Sequence, residues 1–210
     1  MQSPIKRTQF GRYVFDVSEH VYEPAEDSFL FAENLEVKKG EQVLDVGAGC
    51  GILGILSAER ASAVLAVDLN PYALRCAKEN SALNKVDAKM AFLQADLFTA
   101  FNVKARFDVI LFNAPYLPTD AQETETWIGR SWAGGTNGRQ VIDRFISQVR
   151  PHLKNGGQVF LMQSTLANVE ETICRFFEHG LEARVKAEHK LPFFETLVLI
   201  EAKPQNHGFA

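Results

Sequence analysis

Asn113-Ala114-Pro115-Tyr116 follows directly on the apolar run Phe107-Asp108-Val109-Ile110-Leu111-Phe112, which reads as a buried strand. An Asn at such a strand tip, followed by a proline-stiffened turn and an aromatic ring, builds a pocket for one kind of group. The Asn113 carboxamide oxygen and the Ala114 backbone carbonyl can accept the two hydrogens of a planar NH2, while the Tyr116 ring covers its face. An amide or an exocyclic amine would fit. Upstream, Val43-Leu44-Asp45-Val46-Gly47-Ala48-Gly49-Cys50-Gly51 supplies a second pocket, for a nucleotide-like cofactor. Together the two predict methyl transfer from S-adenosylmethionine (SAM) to nitrogen.

Glycine-rich strand-to-helix turns are common in α/β folds, so the loop pattern alone is weak. Its neighbours sharpen it. Asp45 precedes the glycines on the strand, where it can reach an amino-acid ammonium directly or through water, and Gly47, Gly49 and Gly51 permit close backbone approach. Asp68, followed by Leu69 at the tip of the next strand, suits the two hydroxyls of a ribose. A dinucleotide would call for GxGxxG to seat a pyrophosphate, whereas the sixth position here is Ile52. SAM has no phosphate and fits the looser loop. Asp96 after a third strand can accept from an adenine amino group, with Leu97 packed nearby. Asp45, Asp68, Asp96 and Asn113 all fall at carboxyl ends of strands, where open α/β sheets bind ligands.

These residues need a scaffold that brings strand tips together. Strands are expected at Glu41 to Gly47, Ala63 to Asp68, Ala91 to Gln94, Phe107 to Phe112, Gly157 to Met162, Ala183 to Glu188 and Leu197 to Ala202. Helices are expected at Ile52 to Arg60, after Asn70-Pro71, near Val141 to His152 and at Asn168 to His179, with Asn70 as a cap and Pro71 in the first turn. The alternation predicts an α/β fold: a doubly wound, mostly parallel seven-stranded sheet with helices on both faces. No helix separates the final two strands, so the last should run antiparallel. With neither a linker nor a repeat, residues 1–210 read as one domain, in which 1–38 form an extension and helix beside the cofactor site and 39–210 the catalytic core.

Composition narrows the class. At 210 residues and 46% apolar content, the chain can bury a full core without disulfides or metals. Cys50, Cys76 and Cys174 are odd in number and widely spaced, as free thiols in a reducing, cytoplasmic setting would be. The five histidines are scattered, so no zinc or other metal site is expected. No apolar run is long enough to span a bilayer, and Met1-Gln2-Ser3-Pro4 begins no signal peptide. A formal charge of −4 argues against direct nucleic-acid binding. Lys6-Arg7 and Arg12 read as solvated terminal charges rather than a basic patch.

Four blocks carry a family resemblance: Val21 to Ser28 (Val-Tyr-Glu-Pro-Ala-Glu-Asp-Ser), Leu44 to Gly54, Asn113 to Pro118, and Trp132 to Arg139 running on to Phe145. From about Arg12 onward the chain resembles the HemK-type, class I SAM-dependent methyltransferases, in the archaeal and eukaryotic branch acting on release factors. The resemblance implies methylation of the glutamine nitrogen in the Gly-Gly-Gln motif of a peptide-chain release factor. It also implies a SAM site lined by Ser28, Asp45, Gly47, Asp68, Asp96, Leu97 and Asn113. Such enzymes typically carry a small zinc-binding activator that extends a sheet edge by strand pairing. Met90-Ala91-Phe92-Leu93, apolar and without proline, is the natural free edge, although a helix or the loop around Asn102-Val103 could shield it instead. One departure stands out. The family pattern at the catalytic loop is Asn-Pro-Pro-Tyr, and here Ala114 replaces the first proline, adding an N–H that needs a partner.

Gly156-Gly157-Gln158 reads as a helix-ending turn into the fifth strand, Cys50 as a small loop residue, and Phe193-Phe194 as filling the last hairpin. Trp127 and Trp132 fit either the core or the substrate side. Two rival functions use the same features. A nucleic-acid amine methyltransferase would present the pocket to a flipped base, and a non-catalytic SAM-binding scaffold would tolerate the altered loop.

Overall fold

A computed structural model of the chain describes residues 6–120 and 125–205; Met1 to Pro4 and His207 lie outside the described residues. The first elements were not expected. β1 (Lys6–Phe10) and β2 (Tyr13–Val17) pair antiparallel around a Gly11-Arg12 turn. In β2, Tyr13, Phe15 and Val17 are buried and alternate with less buried residues, the period-two signature of a strand with one face on a core. Lys6, Arg7 and Arg12 are each paired, with Glu23, Asp16 and Glu59. α1 (Glu26–Glu33) follows.

From there strand and helix alternate: β3 (Gln42–Val46), α2 (Ile52–Ser57), β4 (Ala63–Asp68), α3 (Pro71–Leu83), β5 (Met90–Gln94) and β6 (Phe107–Asn113). Asn70 caps α3 by accepting from the Tyr72 N–H at 2.9 Å, with Pro71 in the first turn. After the short α4 (Trp127–Arg130) come α5 (Gln140–Val149), β7 (Leu153–Ser164), α6 (Val169–Glu178), β8 (Leu181–Lys190) and β9 (Thr196–Pro204). The main sheet has seven strands in the order β5-β4-β3-β6-β7-β9-β8. β3 to β7 pair parallel, while β9 runs antiparallel to both β7 and β8. β5 is one free edge.

The central strands are buried on both faces, as the continuous apolar runs require. Along β6 the side chains divide: Val109 and Leu111 join one core with Phe15, Phe31 and Ile55, and Ile110 and Phe112 join the other with Phe145 and Ile146. No helix among the described residues is long and apolar enough to cross a membrane.

Two expectations are corrected. Gly156 and Gly157 lie inside β7, not at a helix end. The strand begins at Leu153, and its pairing with β6 shifts register between Phe107 and Val109, so the glycines fall in the irregular stretch. Phe193 and Phe194 do not fill the last hairpin. Both lie fully in solvent at its tip (97% and 104% exposed).

Candidate active site

β2 is pinned to α3 by two asparagines one helical turn apart. Asn84 Oδ1 accepts from Val14 N–H while its Nδ2 donates to the Val14 carbonyl; Asn80 makes the same pair of bonds with Asp16. Each carboxamide mimics a peptide group of a neighbouring strand. The Asn80 amide also donates to the Cys50 carbonyl at 2.9 Å, tying the hairpin and α3 to the glycine loop.

That loop closes one wall of a cleft of about 570 Å³ at the carboxyl ends of β3, β4 and β6. Ser28, Gly47, Gly49, Asp68, Leu69, Asp96, Leu97, Asn113, Ala114, Pro115 and Tyr116 all line it, so the structure brings together every expected site residue but one. A side chain at Gly47, where φ is +66°, would press the Phe112 ring at 3.3 Å; the bare backbone leaves that wall open to a ligand. Asp68 Oδ2 accepts from Gly49 N–H at 2.9 Å and Oδ1 from Asn70 N–H at 2.8 Å. Burial raises its pKa, partly offset by these donors.

Asp45 is the exception. It is fully buried, outside the cleft lining, and Oδ2 accepts from Gly54 N–H at 2.9 Å. Gly54 lies in the first turn of α2, whose N–H groups have no partner within the helix. Asp45 therefore braces the loop from behind and does not itself line the cleft. Burial pushes its pKa up to about 7, against the Gly54 bond, and the nearby Asp68 charge adds to the rise.

Asp96 Oδ2 is engaged at 2.6 Å by Arg144 of α5, a partner the sequence did not suggest. Trp127 and Trp132 are both half-buried and line the cleft, which settles their placement.

At the tip of β6, Asn113 is oriented by residues 85 or more positions away. Its Nδ2 donates to Asp27 Oδ2 at 3.0 Å and to Ser28 Oγ at 3.3 Å. Asp27 is a buried carboxylate, and Oδ1 accepts from the Tyr22 hydroxyl, Ser28 N–H and Ser28 Oγ–H. A carboxylate can only accept, so the Asn113 amide must turn its NH2 towards Asp27. Its other end, Oδ1, is buried with no partner. A buried acceptor left open at a cleft wall is costly unless a ligand completes it.

The loop after Asn113 is held by backbone. Ala114 N–H donates to the Met162 carbonyl at 3.3 Å, so the donor introduced by the missing proline is satisfied by extending the β6–β7 ladder. Leu117 N–H donates to Trp132 O, Gly134 N–H to Leu117 O and Thr119 N–H to Gly135 O. Any side chain at Gly138 would stand 2.3 Å from the Tyr116 carbonyl. The Trp132 to Arg139 block is therefore a clamp on the Asn113 to Thr119 loop. Burial, then the charge of Asp27, pushes the Tyr116 hydroxyl well above its ordinary pKa, so the phenol stays protonated.

The methyltransferase small-domain model matches residues 23–130. A Methanocaldococcus jannaschii protein, provisionally named a protein N5-glutamine methyltransferase, is 43% identical over 181 residues, spanning 85% of this chain and 90% of that one. The chain belongs to the HemK-type methyltransferases. A Homo sapiens relative named methyltransferase HEMK2 is 33% identical, over 77% of this chain and 80% of its own. Among solved structures, that of the E. cuniculi Mtq2-Trm112 complex, described as methylating the eRF1 termination factor, contains a chain that superposes with a TM-score of 0.70. Identity is 28%, and the match covers 89% of this chain and 99% of that one.

For this methyltransferase, sequence reasoning missed Asp27 and Tyr22 as members of the site. Both sit in the Val21 to Ser28 block. The signal was a carboxylate beside Ser28 with no basic residue nearby in sequence to pair with it. Among the described residues no three His, Cys, Asp or Glu side chains come together as a metal site.

Proposed function

We propose that this methyltransferase transfers a methyl group from SAM to the side-chain nitrogen of a glutamine, in the Gly-Gly-Gln motif of a peptide-chain release factor. The observation that carries the reading is Asn113 Oδ1, a buried acceptor without a partner, on an amide whose NH2 is committed to Asp27 and Ser28. A glutamine NH2 supplies the donor that such an acceptor lacks. The relatives' names, protein N5-glutamine methyltransferase and methylation of eRF1, agree with it.

The cleft suits SAM on its own chemistry. It is of nucleoside size, has an open glycine wall, presents Asp68 at the β4 tip for ribose hydroxyls and carries Ile52 where a pyrophosphate loop would have its third glycine. Ser28, Gly47, Gly49, Asp68, Leu69, Asp96, Leu97 and Asn113 would hold the cofactor. When bound, SAM supplies an activated methyl on its own leaving group. The residues of the chain then have mainly to position the nucleophile. Asn113 Oδ1 and the Ala114 carbonyl accept the two amide hydrogens and aim the nitrogen. Pro115 sets the turn, and the neutral Tyr116 covers the amide plane. The proton leaves late to water, so no strong base is required.

We read residues 1–210 as one unit, with 1–38 completing the cofactor site through Tyr22, Asp27 and Ser28, and place its work in the cytoplasm, where release factors act. A small zinc-binding activator pairing with the β5 edge is part of the proposal. The strand is only partly buried, and Val103, the residue that could have shielded it, is exposed. The nucleic-acid alternative would want free cations at the cleft, yet Arg144 is engaged by Asp96 and Arg130 lies over the Trp127 ring.

The test is incubation with labelled SAM, an archaeal release factor and transfer RNA, followed by mapping of the modified residue. Label on the Gly-Gly-Gln glutamine is expected. Label on RNA alone, or none with the activator present, would refute the reading.

A further inference from the structure

The hairpin joining β8 to β9 carries two features the site does not use. Phe193 and Phe194 are adjacent and the most exposed large apolar side chains among the described residues. Both also adopt left-handed backbone, with φ of +62° and +67°, which is unfavourable for bulky residues. Exposure and backbone strain are thus concentrated at one tip.

Topology places that tip beside the catalytic loop. Asn113 is level with Met162 on β7, and Met162 with Leu199 on β9. β9 runs antiparallel, so its first residue, Thr196, lies three positions beyond Asn113 at the same end of the sheet. At about 3.3 Å per residue along a strand and about 4.8 Å between strands, Thr196 at the base of the turn stands roughly 10 Å above Asn113 and roughly 10 Å to its side, with Phe193 and Phe194 two to three residues further out. The base is fastened there. Leu191 N–H donates to Glu195 O, Thr196 N–H donates to Thr165 Oγ1, and Leu191 packs on the same core as Tyr116. Glu195 is near enough that its charge contributes to raising the Tyr116 pKa. Leu166, next to Thr165, is half-exposed.

We infer that Phe193 and Phe194 form a docking tip for the protein substrate, seated in an apolar surface of that protein beside the loop that carries the reacting glutamine. This rests on the proposed function. A protein whose amide reaches Asn113 must lie across this end of the sheet, and a protein interface of ordinary size spans about 800 Å² per partner, enough to include a hairpin whose base is roughly 14 Å away. Aromatic residues, Phe among them, are enriched in protein interfaces. The activator would pair at β5, across the sheet from the β8–β9 hairpin, so the two do not compete for the tip. Glu188 and Glu195 beside the tip, against Lys190, give it no basic surround, which favours a protein over nucleic acid as the occupant.

The test compares wild type with Phe193→Ser/Phe194→Ser, with activator present, on two substrates: the intact release factor and a short Gly-Gly-Gln peptide that fills the cleft but cannot reach the tip. The double variant should raise KM for the intact factor at least about tenfold. Peptide KM, KM for SAM and kcat should stay within about twofold, and thermal stability should not fall. Unchanged KM for the intact factor with an active wild type would overturn the docking role alone. Equal loss on the peptide would show that the hairpin acts through Tyr116 and would also overturn it. Altered self-association or RNA affinity in place of the KM effect would assign the tip to a second copy or to nucleic acid, overturning it likewise. A wild type inactive on both substrates would overturn the proposed function, and the docking role with it.

Discussion

The geometry at Asn113 makes a sharp demand on Asp27. Asp27→Asn keeps the size of the side chain but replaces one acceptor oxygen by a donor NH2. Four bonds are affected: Asn113 Nδ2 at 3.0 Å, the Tyr22 hydroxyl at 3.2 Å, and Ser28 N–H and Oγ–H at 2.6 and 3.1 Å. Every one of these brings a donor, and a carboxamide can satisfy them from one oxygen only. If the new NH2 faces Asn113, that amide is driven to flip, and it then presents a donor to the substrate NH2 where an acceptor is needed.

Losing a hydrogen bond to a charged group costs about 1.5–3 kcal/mol, and Asp27 is buried, which favours the upper half of that range. Because the Asn113 oxygen aims the nucleophile, the loss should fall on turnover, by about 40-fold to 160-fold in kcat. SAM affinity should change less than about threefold. Single-turnover methyl transfer and calorimetric SAM titration separate the two. Asn113→Ala should itself abolish transfer, and adding Asp27→Asn to it should cost nothing further, because both act on one acceptor. Normal kcat in Asp27→Asn, or losses that multiply in the double variant on residual activity, would refute the positioning argument.

Asp68→Ala should weaken SAM binding about tenfold to a hundredfold, the worth of one charged partner; unchanged affinity by calorimetry removes the ribose assignment. Burial raises Asp45 from its ordinary 3.8 to about 7, so its protonated form is favoured in the fold, and the stabilisation present at pH 4 is lost as pH rises towards 7. Over that window Asp45 alone contributes a loss of roughly 4 kcal/mol, opposed by Asp16, Asp108 and Glu201, whose pKa values are lowered by their partners. Asp45→Asn should make the variant gain stability relative to wild type as pH rises from 4 to 7, and an identical pH profile of melting temperature in the variant rejects this. Ala114→Pro exchanges the 3.3 Å bond to Met162 for a fixed φ. These terms oppose each other at about 1 kcal/mol apiece, so stability by denaturant titration should shift by less than about 1 kcal/mol with turnover kept; unfolding or inactivity shows that the loop has diverged in shape. Co-expression with the zinc-binding activator should raise both soluble yield and turnover, and a chain fully active alone with no complex on size exclusion overturns the partner.

What could be read from the sequence follows a physical divide. Strands buried on both faces announce themselves as apolar runs, and β3, β6 and β7 were found on that ground. Asn70-Pro71 is a local signal with a local cause, and it caps α3 as expected. β1 has no such signal, since none of Lys6-Arg7-Thr8-Gln9-Phe10 is fully buried. β2 does alternate, but over five residues only. An aromatic pair between two strands suggests a filled hairpin, but Phe193 and Phe194 stand in solvent, because sequence carries no cost for exposure. Asp45 shows a different limit. Its place at a strand tip was legible, but whether its carboxylate met a ligand or a helix N–H depended on Gly54 lying against it.

The altered catalytic loop joins these points. In the family pattern, proline at the second position holds φ by a ring and leaves no donor to satisfy. Here the same position is held from outside. Ala114 N–H is tied to Met162, Leu117 and Thr119 are laced to Trp132 and Gly135, and Gly138 lets the Tyr116 carbonyl approach where any side chain would collide. Rigidity moves from one covalent ring to backbone contacts formed with Met162 and with the Trp132 to Gly138 segment. The Asn113 side chain is fixed separately, by Asp27 and Ser28 from α1. Loop shape and amide orientation thus have independent supports, so loss of the proline stiffens one support less without turning the acceptor away from the cleft. A non-catalytic scaffold would have no use for that second support. A buried carboxylate spent on orienting an unpartnered oxygen makes sense only where something must be held against the oxygen.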